Sequence, residues 1–111
     1  MKILITGANG FLGQHLTLYL AGKGFSVIAC SRGICRISEP HLFQYISVDL
    51  TDASAVSAVV AQVQPDVIIH SAAMSKPDEC EADKNLCILH NVLATKFLLN
   101  SSKPSVRFIY I

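Results

Sequence analysis

The sequence is poor in charge. Only 15% of its 111 residues are Asp, Glu, Lys or Arg, against 51% hydrophobic. Disordered chains show the opposite balance, because they cannot bury enough apolar surface to offset the entropy of ordering. A packed core is therefore expected, at a length that suits one domain. No basic stripe or charge run occurs and the formal net charge is +1, so the electrostatic footprint of a nucleic-acid or membrane-surface partner is missing. No apolar run approaches the roughly 18 residues of a membrane span. The opening Met1-Lys2-Ile3-Leu4-Ile5 runs straight into glycines, too short for a secretory signal and without a small-residue cleavage site. A soluble, cytoplasmic setting is the expectation. Of four cysteines (Cys30, Cys35, Cys80, Cys87), none forms a C-x-x-C pair. Free, buried or half-buried thiols are expected, with no metal and no disulfide framework. His15, His41 and His90 show no ligand spacing with one another.

What is present alternates between two periods. Lys2–Thr6 is a short apolar run and predicts a buried strand. Phe11–Leu20 carries Leu12, Leu16, Tyr19 and Leu20 at helical spacing, and Gly22 and Gly24 end it. Phe25–Cys30 reads as a second strand, Ser31–His41 as a loop punctuated by Pro40, and Leu42–Val48 as a third strand. Asp52 looks like an N-cap for a helix over Ala53–Val63, with Val56, Val59, Val60 and Val63 on one face and Pro65 closing it. Val67–His70 is a fourth strand. A polar segment, Ser75–Asp83, leads to a helix over about Lys84–Ser101 with Leu86, Leu89, Leu93 and Phe97 inward. Pro104 breaks it and Val106–Ile111 is a fifth strand. Alternating strands and helices imply a parallel α/β sheet with right-handed crossovers, order 3-2-1-4-5. Its near-continuous apolar strands imply cover on both faces. Such a doubly wound, Rossmann-type sheet has its ligand crevice above the carboxyl ends of strands one and four.

The most informative segment is Thr6-Gly7-Ala8-Asn9-Gly10-Phe11-Leu12-Gly13, directly after a strand and opening a helix. Gly7 suits the tight turn, Gly10 the close approach of a pyrophosphate, and Gly13 the packing of the helix start. The free amides of the first helical turn then face the phosphates. The spacing is G-x-x-G-x-x-G rather than G-x-G-x-x-G, and no Lys-Ser/Thr follows, so a P-loop is excluded. A dinucleotide site often carries an acid at the end of strand two, for the ribose 2′-OH of NAD. Here that place holds Cys30-Ser31-Arg32. With no carboxylate there, and with Arg32 able to pair with a 2′-phosphate and Arg36 to assist, NADP(H) is expected ahead of NAD(H). The plainer reading leaves Arg32 as a solvated loop residue.

Ile5-Thr6-Gly7-Ala8-Asn9-Gly10-Phe11-Leu12-Gly13 resembles the opening of the extended short-chain dehydrogenase/reductases, the NAD-dependent epimerase/dehydratase-like enzymes that bind NAD(P) and often act on nucleotide sugars. The likeness runs along the whole chain. It implies cofactor contacts at Gly7, Asn9, Gly10, Phe11, Leu12, Gly13, Ser31 and Arg32. Val48-Asp49-Leu50-Thr51-Asp52 resembles the segment whose aspartate binds the adenine amino group, implying roles for Asp49 and Leu50. Val67 to Ala73 resembles the fourth-strand end beneath the cofactor, implying contacts at Ser71, Ala72 and Ala73. Asn91 resembles the family's helix-borne Asn and implies a cofactor contact or proton relay.

Each has a plainer reading: Asp49 as a turn residue, Asn91 as a helix Asn bonded to local backbone, His70 as a lining residue. The acids Asp78, Glu79, Glu81 and Asp83 read as a solvated loop favouring the next helix N-terminus. Pro65 to Ala73 followed by Lys76-Pro77-Asp78-Glu79-Cys80-Glu81 is most similar to the dTDP-4-dehydrorhamnose reductase branch. The non-catalytic regulatory β subunit of methionine adenosyltransferase belongs to the same branch and is at least as similar.

The resemblance also implies a catalytic Ser/Thr after strand five and a later Tyr-x-x-x-Lys pair. Neither has a counterpart here, and position excludes carrying that Tyr onto Tyr45 or Tyr110. Residues 1–111 therefore read as the cofactor-binding front portion of a longer protein, without its substrate lobe and with no catalytic residue of its own. Three functions stay open: part of a sugar-nucleotide oxidoreductase, part of a non-catalytic cofactor-binding regulator, or a binding module in itself. An apolar fifth strand with one edge unpaired also predicts self-association.

Overall fold

The computed structural model describes residues 1–71 and 92–111. Five strands form one parallel sheet: β1 (Lys2–Thr6), β2 (Ser26–Ser31), β3 (Gln44–Ser47), β4 (Val67–His70) and β5 (Arg107–Tyr110). Their order is β3-β2-β1-β4-β5, the expected Rossmann arrangement. Helix α1 (Phe11–Gly22) links β1 to β2, α2 (Ala53–Val63) links β3 to β4, and α3 (Ala94–Ser101) precedes β5. The predicted helix over 84–101 is seen only in its last part; Leu86 and Leu89 lie outside the described residues.

The strands read as unbroken apolar runs because alternate residues feed two cores. Ile3, Ile5, Val27, Val67 and Ile69 pack against Leu16, Leu20 and Ala21 of α1. Leu4, Ile28 and Ile68 point the other way, into Val56, Val59, Val60 and Val63 of α2 and Ala94 and Leu98 of α3. Asp52 caps α2 as expected, its carboxylate accepting from the Ala55 N–H at 3.1 Å. Gln64 stops that helix in the left-handed region at φ 50°, one residue before Pro65, where continued α conformation would clash with the proline ring.

Three expectations need correction. In α1 the fully buried residues are Gly13 and Thr17, while Tyr19 is 63% and Leu12 44% exposed. The inward stripe is 13, 16, 17 and 20, and position 19 lies about 200° round the helix from 17. In α3, Ala94 and Leu98 are the buried pair, while Phe97 packs only at the margin of the core. The third strand is shorter than Leu42–Val48, because Pro40–Leu42 forms a turn of 3-10 helix, with proline fixing φ at its start.

Candidate functional site

All five strands are parallel, so their carboxyl ends share one edge, and the chain reverses direction of travel between β1 and β4. The glycine turn sits there. Gly7 has φ 64°, a conformation that costs glycine little and other residues much. Its carbonyl accepts from the Gly10 N–H at 3.0 Å, while the Ala8 N–H donates to the Cys30 carbonyl at 3.1 Å. Gly13 faces this turn so closely that a Cβ there would lie 2.7 Å from Ala8 Cα and 2.9 Å from the Gly7 carbonyl carbon. The helix therefore starts hard against the turn.

No side chain caps α1 and no acid lies in its first turn. The amides of Phe11, Leu12 and Gly13 have no partner within the helix ladder, and they carry the positive end of its dipole. Gly10 is exposed and Phe11 is 84% exposed, its ring lying 4.6 Å from that of His15. This arrangement suits a diphosphate: bare amides, no competing carboxylate and a cradle that a side chain would fill.

The neighbouring strand end carries the basic residues. Ser31 ends β2, and exposed Arg32 and Arg36 follow in the loop towards β3. That loop is tied to the glycine turn by Asn9. Its Nδ2 donates to the Ile34 carbonyl at 2.9 Å and to Tyr45 Oη at 3.3 Å, and its Oδ1 accepts from the Arg36 N–H at 2.8 Å. Both amide protons of Asn9 thus go to its own chain, leaving chiefly its backbone for a ligand. Asp49 is exposed, and its Oδ1 accepts from both the N–H (2.9 Å) and the hydroxyl (2.6 Å) of Thr51. Leu50 points into the core at 9% exposure, so only its main chain borders the edge.

At the end of β4, His70 is fully buried, with Nδ1 2.7 Å from Thr6 Oγ1. Thr6 Oγ1 accepts from the Ser71 N–H at 3.1 Å, and Ser71 Oγ donates to the Thr6 carbonyl at 2.6 Å. Thr6 Oγ1 and His70 Nδ1 share one hydrogen bond, whose direction follows the imidazole tautomer. Burial pushes the His70 pKa down to about 4. His70 is thus a structural strand-end residue that knits β1 to β4. Its Nε2 has no hydrogen-bond partner among the described residues. Ala72, Ala73 and Asn91 lie outside the described residues, as do Cys80 and Cys87. Cys30 and Cys35 are free thiols, buried and half-buried, and burial pushes Cys30 up to about 12.

Sequence reasoning missed Thr6 and Tyr45. Thr6 had a signal, as a polar side chain closing the apolar run Ile3-Leu4-Ile5. Tyr45 had none, because its partners lie 12 to 36 residues away in the chain.

A parallel sheet in this order, with a glycine turn and a bare helix start at its switch point, defines a dinucleotide-binding α/β protein. Residues 3–111 match the model of the NAD dependent epimerase/dehydratase family, and the chain belongs to that family. A dTDP-4-dehydrorhamnose reductase of Streptomyces griseus is 38% identical over 88 residues, 79% of this chain and 25% of that protein. Methionine adenosyltransferase 2 subunit beta of Xenopus tropicalis is 36% identical over 97 residues, 87% of this chain and 27% of its own. A Thermus thermophilus UDP-glucose 4-epimerase, solved in complex with NAD, superposes with TM-score 0.82 at 26% identity, covering 91% of this chain and 33% of that one. The chain thus spans a quarter to a third of the proteins it matches.

Proposed function

We propose that this chain is the NADP(H)-binding portion of an oxidoreductase acting on a sugar nucleotide, similar to dTDP-4-dehydrorhamnose reductase. The observation that carries the reading is the pairing, on one sheet edge, of an uncapped helix start with Arg32 where an NAD site would carry an acid. The amides of Phe11, Leu12 and Gly13 would hold the diphosphate, and Arg32, with Arg36 of the same loop, would pair with the 2′-phosphate. A nicotinamide held here would supply or accept hydride. This chain's residues would bind and orient the cofactor, with Ser71 at the carboxyl end of β4 tied to Thr6. Reduction itself would be completed in the full-length protein, where a proton donor must be positioned beside the carbonyl.

The supporting experiment is cofactor titration. NADPH should bind more tightly than NADH, and Gly10→Val should abolish both by filling the phosphate approach. Arg32→Ala should narrow the preference by about 1.5–3 kcal/mol, the scale of a hydrogen bond to a charged group. Equal loss of both cofactors in Arg32→Ala would refute the assignment to the 2′-phosphate.

A second reading has its own support. The methionine adenosyltransferase β subunit matches about as well as the reductase, 36% against 38% identity, so a cofactor-binding regulator without turnover fits the same site. Turnover of a 4-keto sugar nucleotide by the full-length protein separates the two.

A further inference from the structure

The loop that carries Arg32 and Arg36 runs from Ser31 to the turn at Pro40. A loop of that length is expected to wander. Instead its backbone is pinned from outside at four residues. Tyr45 Oη lies 2.9 Å from the Gly33 carbonyl and 3.3 Å from that of Ser31, and donates its one proton between them. Ser47 Oγ accepts from the Gly33 N–H at 3.2 Å. Asn9 holds Ile34 and Arg36 and reaches Tyr45 Oη as well. Beneath the loop, Ile37 is buried with Ala8 and Ala29, against the margins of Leu18, Phe43 and Tyr45. The phosphate turn and the arginine loop are therefore one bonded unit, and Tyr45, on β3, closes it.

We propose that Tyr45 is a positioning residue for cofactor choice: through Asn9 and the Ser31 and Gly33 carbonyls, its hydroxyl fixes where Arg32 and Arg36 are presented to a 2′-phosphate. This rests on the NADP(H) reading above. A loop whose backbone is already ordered meets the phosphate without the entropic cost of ordering that backbone on binding. Burial raises the Tyr45 pKa, so the phenol stays a donor at neutral pH. The hydroxyl meets the phosphate turn only through the Asn9 side chain, at 3.3 Å, and meets the arginine loop at two carbonyls, so its loss falls chiefly on the 2′-phosphate end of the cofactor.

The test is a double-mutant cycle in the full chain with NADPH and NADH as probes. Tyr45→Phe keeps the ring and deletes the hydroxyl. It should weaken NADPH about 5- to 10-fold, the scale of one hydrogen bond, and leave NADH within about 2-fold. Combined with Arg32→Ala it should cost less preference than it does alone, because only Arg36 is then left to position. Amide exchange at Gly33 and Arg36 should quicken in Tyr45→Phe. An unchanged NADPH-to-NADH ratio in Tyr45→Phe, while Arg32→Ala still narrows it, overturns the positioning role and leaves the NADP(H) reading standing. Equal weakening of both cofactors also overturns it, showing a merely structural tyrosine. Equal affinity of the unmodified protein for both cofactors overturns the two together.

Discussion

Two glycines of one helix should respond to the same substitution with opposite signs. A Cβ at Gly13 would lie 2.7 Å from Ala8 Cα and 2.9 Å from the Gly7 carbonyl carbon, whereas a Cβ at Gly22 meets nothing within 4 Å. Carbon atoms settle at about 3.5–4.0 Å and the same Cβ would run into the Gly7 carbonyl oxygen, so Gly13→Ala forces helix and turn apart by about 1 Å. Both sides of the clash are backbone, and no rotamer change relieves it. Overpacking costs about 1–3 kcal/mol, and the upper end applies here. Alanine's helix propensity returns up to about 1 kcal/mol. The net loss is about 2 kcal/mol, a fall in Tm of roughly 8–15 °C for a domain near this size. Gly22→Ala keeps the propensity gain without the clash and should raise Tm by a few degrees. Thermal melts of the two variants beside the unmodified chain decide the matter. Two melting points within about 2 °C of each other, on the scale set by domain size, would refute the close-approach argument. Cofactor titration adds a second readout: Gly13→Ala should weaken NADPH and NADH alike, because the phosphate turn itself moves.

Acid should destabilise the fold through His70. Its folded pKa is lowered from 6.5 to about 4, so between those values the unfolded chain holds more protons. Stability contributed by neutral His70 is complete above about pH 6.5 and falls by about 3 kcal/mol as pH drops to 4. Urea midpoints across that range should lose this leg in His70→Asn, which keeps an acceptor for Thr6 and cannot titrate; an unchanged slope would contradict it. Thr17 is fully buried and its hydroxyl has no hydrogen-bond partner among the described residues, so Thr17→Val should stabilise by about 1 kcal/mol, and a loss in a chemical melt would count against it. At the outer edge of β5, unpaired among the described residues, the Arg107 and Ile111 amides donate to Asp66 and His70 of the β4 side, so those of Phe108 and Tyr110 face outward. With Ile109 41% and Ile111 50% exposed, self-association is expected. Ile109→Lys with Ile111→Lys should raise the monomer fraction in light scattering, since charged edges resist pairing; a concentration-independent monomer of the unmodified chain would remove the premise.

The order of elements was legible because it rests on local physics. The 2-residue and 3.6-residue periods, the glycine spacing, the Asp52 cap and Pro65 each act within a few neighbours in the chain, and the sheet order is one of the few that right-handed crossovers allow. The phosphate turn was legible for the same reason: Gly7, Gly10 and Gly13 serve one another across six residues. The inward face of α1 was not. Tyr19 and Leu12 are apolar enough to suit a core, and only the close seat of Gly13 and Thr17 turns them outward. Nor could the sequence assign Asn9. By itself it is a polar residue in a phosphate turn; what claims its amide is a loop and a strand 25 to 36 residues onward. The sequence alone determined which backbone would meet a dinucleotide, because glycine spacing and strand-to-helix succession are properties of neighbours. Only the tertiary structure decided which side chains are free to greet it, because a hydrogen-bonding group is claimed by whatever the fold brings within 3 Å or so of it.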